Sequence, residues 1–372
     1  MTSETQVTQF TGVPPLADET ISDILQSEFG IKLVKFKQLN GYDDKNYLIT
    51  FDKNDINNNL IGDGPAPERV LLKVTNVEQS SNVTLIDGFN LLLCVAHDQG
   101  FPCQRPVPTK EGQLMAKRYI PYKDGEGGYH IVRLFTFIPG QLISTVTYTA
   151  KLLTQVGKTL AELHNALKNF QHPAFANYSH IWCLVSSPET LQFDSCLDDN
   201  ERNLVRSVLE TFQSKVIPLV DQLPSGQIHG DFNEQNLLVQ KKPENPSEYE
   251  LCGILDFGDS HRSAYVLDLA IAIMYLMLDS NQSDLTWVGR NLISGYQGVR
   301  PLTSQEKSIL PYAVAARFAQ SLIMGKYSFA LNPSPDNQYV LVTQKKGWPI
   351  LRRFWGESKM EDISRKWFSD GN

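Results

Sequence analysis

The hydrophobic pattern of this chain changes its period near residue 140, and that change limits what the chain can fold into. Before it, short apolar runs dominate: NYLITFD, RVLLKVT, MAKRYI and YHIVRLFTFI read as strands. Two segments rich in turn formers, DKNDINNNLIGDGPAPE (52–68) and YKDGEGGYH (122–130), read as loops between them. One stretch in this part, NVTLIDGFNLLLCVAHDQG, has helical spacing and stops at a glycine. After the change the period lengthens. TYTAKLLTQVGKTLAELHNALKNF opens on threonine and sets Leu152, Val156, Leu160, Leu163 and Leu167 three or four apart, the stripe of an amphipathic helix. DDNERNLVRSVLETFQSKVIPLV predicts a second such helix, and the tail from 302 onward is helical again. VLDLAIAIMYLML (266–278) is the most apolar long run, begins with an aspartate-bearing turn and is too short for a bilayer, so it predicts a buried helix. The expectation is an α+β chain in two parts: a β-rich N-terminal lobe over 1–140 and a larger, mainly α-helical lobe over 141–372. FIPGQ supplies the Pro-Gly pair for the connection.

Charge and cysteine usage narrow the function classes. A net charge of −7 argues against nucleic-acid binding and against an anionic membrane surface. It suits a cationic small molecule, and it serves solubility equally well. The five cysteines form no C-x-x-C pair and are odd in number, which points to a reducing, cytoplasmic setting rather than a disulfide framework or zinc cluster. MTSETQVTQF has neither a basic n-region nor an apolar h-region, and lacks the arginine of a transit peptide. No obligate protein partner is evident.

The chemistry is concentrated in QIHGDFNEQNLLV. His229, Gly230, Asp231 and Asn236 form H-G-D-x-x-x-x-N, and Asp256 follows Asp231 by twenty-five positions, inside GILDFGD. Singly, each polar residue is more often a turn former or cap. The joint order and spacing reverse those odds, because phosphoryl transfer needs this set. Asp231 is placed to orient and deprotonate an attacking hydroxyl. Asn236 and Asp256 offer the carbonyl and carboxylate oxygens that Mg²⁺ prefers, and pairing of NLLV with CGIL brings them to one edge. His229 reads as a buried support for the loop rather than a proton carrier, and Gly258 as part of the turn after Asp256.

A kinase also needs a cation on the donor's phosphates. Lys73, in VLLKV, is the candidate, with Asp87 in LIDGF as its carboxylate partner. The phosphate-covering turn falls in LNGYDDKNYLI, where Gly41 and Tyr42 stand at the tip. A plain hairpin turn explains that segment equally well. It is not a G-x-G-x-x-G or Walker A loop. Asp44 and Asp259 are candidate partners for a substrate ammonium, and Arg262, Arg317 or Arg353 for a substrate carboxylate. The tail GWPILRRFWGE is a candidate pocket lining. Absence of H-R-D and A-P-E argues against a protein kinase, and retention of Lys73, Asp231, Asn236 and Asp256 together argues against a catalytically silent scaffold.

These residues resemble the aminoglycoside phosphotransferase and choline kinase superfamily, and more finely the hydroxylysine kinase family within it. The likeness is carried by GYDDKNY, VLLKVTN, GFP at 100–102, VRLFTFIPG, HGDFNEQNLLV and GILDFGD running into AIAIMYLML. The resemblance implies a protein-kinase-like two-lobe fold. It implies transfer of the γ-phosphate of GTP (or ATP), with Mg²⁺, to the hydroxyl of 5-hydroxy-L-lysine; choline, ethanolamine, homoserine and aminoglycosides are the alternative acceptors. It also implies Asp231 as base, Asn236 and Asp256 as metal ligands and Lys73 on the phosphates. Asp87 departs from the family's glutamate, which bears on how Lys73 is held.

Overall fold

The computed structural model describes residues 16–39, 44–56, 58, 69–122, 126–331, 333, 342–357 and 359–368. The chain divides into two compact units, Met1–Ile138 and Pro139–Asn372, parting inside FIPGQ.

In the first unit α1 (Asp18–Phe29) leads into β1 (Ile31–Leu39), β2 (Lys45–Ile56) and β3 (Arg69–Val74). The short α2 (Val77–Ser80) and the longer α3 (Val83–Asp98) follow, then β4 (Pro106–Val107), β5 (Ala116–Pro121) and β6 (Gly127–Thr136). The strands form one antiparallel sheet in the order β1-β2-β3-β6-β4, with β5 also paired to β6. Period-two burial explains its two faces. Val70, Leu72 and Val74 of β3 join Tyr47, Ile49 and Phe51 of β2 in a core with Ile21, Ile24, Leu25 and Phe29 of α1. The alternation turns Lys73 to the opposite face of the sheet. Asn82 caps α3 by accepting from the Leu85 amide at 3.1 Å. The segment read as a loop from 52 begins as strand, because β2 continues to Ile56, opposite Ile31. Cross-strand pairing there outweighs the poor strand propensity of its Asn and Asp residues.

The second unit contains β7 (Gln141–Leu142), α4 (Ala150–Ala166), α5 (Asp199–Lys215), β8 (Ser225–Ile228), β9 (Leu237–Lys241), β10 (Tyr249–Ile254) and β11 (His261–Ala264). It closes with α6 (Tyr265–Asp279), α7 (Leu285–Gln297), α8 (Ser304–Leu331), α9 (Val342–Arg352) and α10 (Met360–Phe368). Two small sheets are embedded among these helices, ordered β10-β9-β7 and β11-β8. Thr149 caps α4, accepting from the Leu152 amide at 3.1 Å. The buried side of α4 is the stripe Leu152, Val156, Leu160 and Leu163. The α6 residues Tyr265–Met274 are all buried, so this helix is a central core element. Among the described residues no helix is long and apolar enough to cross a membrane.

Two stretches depart from the periodicity reading. α5 stops at Lys215, and Ile217–Gln222 tighten into a 3₁₀ turn. Pro218 lacks an N–H and collides with a helical carbonyl four residues back, so the run cannot continue to Val220 as α-helix. Leu184–Cys196 forms 3₁₀ turns around Pro188, packed on α8; its apolar residues show no helical stripe to reveal it. The start of α5 is set locally. Asp198 accepts from the Glu201 amide at 2.9 Å while the Glu201 carboxylate accepts from the Asp198 amide at 3.2 Å, a reciprocal capping box. Asp198→Ala is therefore expected to lower the unfolding free energy by about 1 kcal/mol, measured by urea denaturation; an unchanged midpoint would show that the cap does not hold this helix.

Candidate active site

The second unit gathers the motif residues around one buried carboxylate. β8 delivers the chain to His229, and α6 presents Asp268, fully buried, one turn in from its start. Asp268 accepts the backbone N–H of His229 at 2.8 Å and of Gly230 at 3.0 Å. It also accepts from His164 Nε2 of α4 at 2.9 Å. Because a carboxylate accepts here, Nε2 carries the imidazole proton, and His164 Nδ1 accepts the Tyr296 hydroxyl at 2.9 Å. Burial pushes the Asp268 carboxyl up, but the His164 and backbone hydrogen bonds outweigh it and hold it below the usual carboxylate range. Burial likewise holds the His164 imidazole below its ordinary value. Gly230 has φ +83°, and a Cβ there would meet the Asp259 carbonyl oxygen at 2.2 Å. A side chain at this position is excluded on both counts.

His229 is buried and held at both ring nitrogens. Nε2 donates to the Leu255 carbonyl at 3.0 Å, while Nδ1 accepts the Asp231 amide at 3.2 Å. Its ring lies against Phe232 and Phe257. The Leu255 amide in turn donates to the Asn236 carbonyl at 2.8 Å. β9 and β10 pair with Leu237 opposite Ile254, so Asn236 and Asp256 leave the same end of the ladder.

Asp231 lies on this frame with 22% of its side chain exposed. Its carboxylate accepts from Asn233 Nδ2 at 2.8 Å, Asn236 Nδ2 at 2.9 Å and Arg317 Nη2 at 3.4 Å. Burial first, then the Asp259 charge, push its carboxyl up to about 6, against the pull of Arg317. Arg317 is buried on α8 and anchored by the Trp182 carbonyl at 2.8 Å and Gln320 Oε1 at 2.9 Å. Asn236 Nδ2 also donates to the Asp231 carbonyl at 2.9 Å; both of its partners are pure acceptors, so the side-chain oxygen Oδ1 faces away from Asp231. Asp256 is exposed and the one described non-glycine residue with positive φ, at 51°. Its Oδ1 accepts the Gly258 amide at 3.2 Å. This left-handed turn, tolerated by aspartate better than by most residues, puts the carboxylate at the protein surface. The Asn236 carbonyl and the Asp256 carboxylate are hard oxygen donors, so the pair fits a Mg²⁺ ion.

Sequence reasoning passed over Glu234, in the same loop. It is buried, its Oε2 has no hydrogen-bond partner among the described residues, and burial raises its carboxyl to about 7. Asp279 and Asp231 add to that rise, and Asp279 accepts the Tyr148 hydroxyl. Asp268 is the lone charge in the apolar run 266–278, where the sequence shows only an aspartate-bearing turn. Of the arginines considered for a substrate carboxylate, Arg317 is the one beside Asp231. Arg262 is exposed on β11, and Arg353 is exposed and donates to the Ser283 carbonyl at 3.2 Å. Trp348, in the tail, is buried with Nε1 donating to Gln344.

In the first unit Lys73 pairs with Asp44 at 3.2 Å, and Asp44 Oδ1 also accepts the Asn76 amide at 2.9 Å. Asp44, expected beside a substrate ammonium, is thus engaged by Lys73. Asp87 is half-buried on α3. Arg133, unnoticed in the sequence, stands opposite Lys73 across β3 and β6 and is buried; cross-strand partners share a sheet face. Gly41 and Tyr42 lie outside the described residues.

A family profile described as "Phosphotransferase enzyme family" matches residues 57–302. The chain is 33% identical to a hydroxylysine kinase of Danio rerio over 362 residues, covering 95% of this chain and 96% of that protein. Among solved structures it resembles an amicoumacin kinase in complex with AMP-PNP, Ca²⁺ and Ami, with TM-score 0.67 at 16% identity over 92% of this chain and 94% of the other. It also resembles a microcompartment-associated aminopropanol kinase, with TM-score 0.67 at 19% identity over 91% and 98%. The fold is therefore the α+β kinase fold of the aminoglycoside phosphotransferase and choline kinase type.

The buried anchor yields two expectations. Asp268→Asn removes the charge that holds two loop amides, and turnover is expected to fall about 100-fold or more, as for other displaced catalytic groups; steady-state rates measured on folded protein check this. Asp268 and His164 both have depressed values in the fold, so both contribute stability that is lost as pH falls. The His164 part is present above its unfolded value of about 6.5, and the Asp268 part above about 4. The melting temperature is expected to drop progressively below pH 6.5; a flat profile from pH 7 to 4.5 would contradict this.

Proposed function

Because this chain belongs to the phosphotransferase enzyme family and is a kinase with an alcohol group as acceptor, we propose that it phosphorylates 5-hydroxy-L-lysine. The donor in this reading is GTP (or ATP) with Mg²⁺, and the product is 5-phosphohydroxy-L-lysine. The single observation that carries the acceptor is the likeness to hydroxylysine kinases along nearly the whole chain. The first unit binds the nucleotide, with Lys73 on its phosphates; the second carries catalysis and acceptor binding.

The residues have distinct tasks. Asp231 Oδ takes the proton of the acceptor hydroxyl as the oxygen attacks phosphorus. At about 6 its carboxyl is matched to that work, being largely ionised near pH 7 yet basic enough to accept a proton. Arg317 and the amides of Asn233 and Asn236 fix the carboxylate's direction. Asn236 and Asp256 would hold Mg²⁺, which when bound neutralises charge on the transferring phosphates. Hydroxylysine brings two ammonium groups, and Glu234 and Asp259 are the carboxylates near Asp231 that suit them. A cation close to Glu234 restores its ionised form and supplies the partner its Oε2 lacks.

Purified protein tested with Mg²⁺, with GTP and ATP in parallel, and with a panel of hydroxylated amines is expected to release nucleoside diphosphate with hydroxylysine. Turnover with choline or homoserine and none with hydroxylysine would overturn the assignment. Asp231→Ala is expected to lower kcat by about 1,000-fold while nucleotide affinity stays within about twofold; equal activity would refute the role of Asp231. Glu234→Gln is expected to raise the KM for hydroxylysine about tenfold, near 1.4 kcal/mol, with a smaller change in kcat.

A further inference from the structure

The second unit also holds a cluster with a different chemistry from the hard oxygen donors. His180, Cys183 and His261 each present one ligand atom, and these atoms all lie within 4.8 Å of one another. Cys183 and His261 are buried. The two imidazoles meet edge to face, with ring centroids 5.5 Å apart and an interplanar angle of 87°. None of the three takes part in the chemistry assigned above.

The hydrogen bonds around the cluster favour ligation. His261 Nδ1 lies 2.7 Å from the Asp259 carbonyl oxygen. A carbonyl only accepts, so Nδ1 carries the proton and Nε2 keeps its lone pair. A metal-bound histidine is normally fixed in this way, by donating its other ring N–H to a carbonyl or carboxylate. Among the described residues His180 Nε2 is a buried atom with no hydrogen-bond partner, an unusual condition for a buried polar nitrogen. Burial pushes the Cys183 thiol up to about 11, and the His180 amide, which Sγ accepts at 3.4 Å, pulls against that rise; a bound cation would supply the charge that releases the proton. Burial also holds both imidazoles neutral, down to about 4, and neutral imidazole is the ligating form.

We propose that His180, Cys183 and His261 form a binding site for one borderline-soft divalent cation of the Zn²⁺ class. Two imidazole nitrogens and one thiolate are the donor set such an ion prefers, and Mg²⁺, which requires oxygen, is excluded from it. Ligand atoms of a tetrahedral site stand about 3.5 Å apart, so closure needs only small side-chain rotations. On binding, the Cys183 thiol proton leaves to solvent as the sulfur–metal bond forms, and a fourth position remains for water. The ion joins β11 to residues 180–183. The Trp182 carbonyl in that segment holds Arg317, so occupancy steadies the support of Asp231.

The test uses the full chain, stripped with a chelator and titrated with Zn²⁺ by calorimetry and with Co²⁺ by absorption spectroscopy. Expected are one Zn²⁺ per chain, a raised melting temperature and a thiolate-to-cobalt charge-transfer band. His180→Ala and Cys183→Ser are each expected to weaken Zn²⁺ binding at least about tenfold. Cys183→Ser is further expected to abolish the band. The half-buried His180 is the substitution the fold tolerates more readily, so it decides the matter if Cys183→Ser does not fold. Absence of binding at micromolar Zn²⁺ would overturn the proposal, and so would undiminished binding by folded His180→Ala, which would place the ion on other histidines and cysteines.

Discussion

The geometry of the catalytic loop depends on a single buried negative charge. Asp268 lies in the first turn of a helix that is apolar almost throughout, where an unpaired carboxylate would be costly. Two loop amides, of His229 and Gly230, and the imidazole of His164 satisfy it. Those amides leave β8 too early to be paired by a strand, and without Asp268 they would be buried donors lacking partners. The arrangement therefore ties three elements together: α4 through His164, α6 through Asp268 itself, and the loop through its backbone. The loop's shape is thus set by the core and not by its own short sequence.

That dependence accounts for what was legible in the sequence. The strands around Lys73 and the helix over 150–166 follow from period and capping residues, and their boundaries fall near where Thr149 and Asn82 place them. The spacing of Asp231, Asn236 and Asp256 was legible because local geometry carries it: a short loop, a paired ladder, and an exit at one edge. Long-range partners were not. Arg317 lies 86 positions from Asp231 in sequence, and nothing in its neighbourhood along α8 distinguishes it from the other arginines weighed for a substrate. The pairing of Lys73 with Asp44, which follows from β2 and β3 running side by side, was not legible either. The 3₁₀ stretch at Leu184–Cys196 was missed because turns of that kind leave no stripe.

The glycine at 230 shows how a local constraint acquires functional meaning. Its positive φ and its contact with the Asp259 carbonyl leave no room for a side chain. Gly230 thereby brings the backbone at Asp259 against the loop carrying Asp231, and the charge of Asp259 is the second largest influence on the Asp231 carboxyl, after burial. An arginine at this position would introduce a cation and displace that backbone, changing the electrostatics of Asp231 as well as its position.

The charge balance of the second unit then points to what it receives. Asp231 is paired with Arg317, whose guanidinium is shared between the Trp182 carbonyl, Gln320 and Asp231, and the charges of Asp259 and Asp256 act on the same carboxylate. Burial is the first cause of the raised carboxyl values at Asp231 and Glu234, and the neighbouring carboxylates add to it. A cation brought close to either carboxylate would lower its value. A divalent ion held near Asn236 and Asp256, and ammonium groups beside Glu234 and Asp259, would lower both values together. In the proposed reaction such binding would shift Asp231 further towards its ionised form. Under the proposed function, an acceptor without positive charge would leave Glu234 without the cation that favours its ionised form.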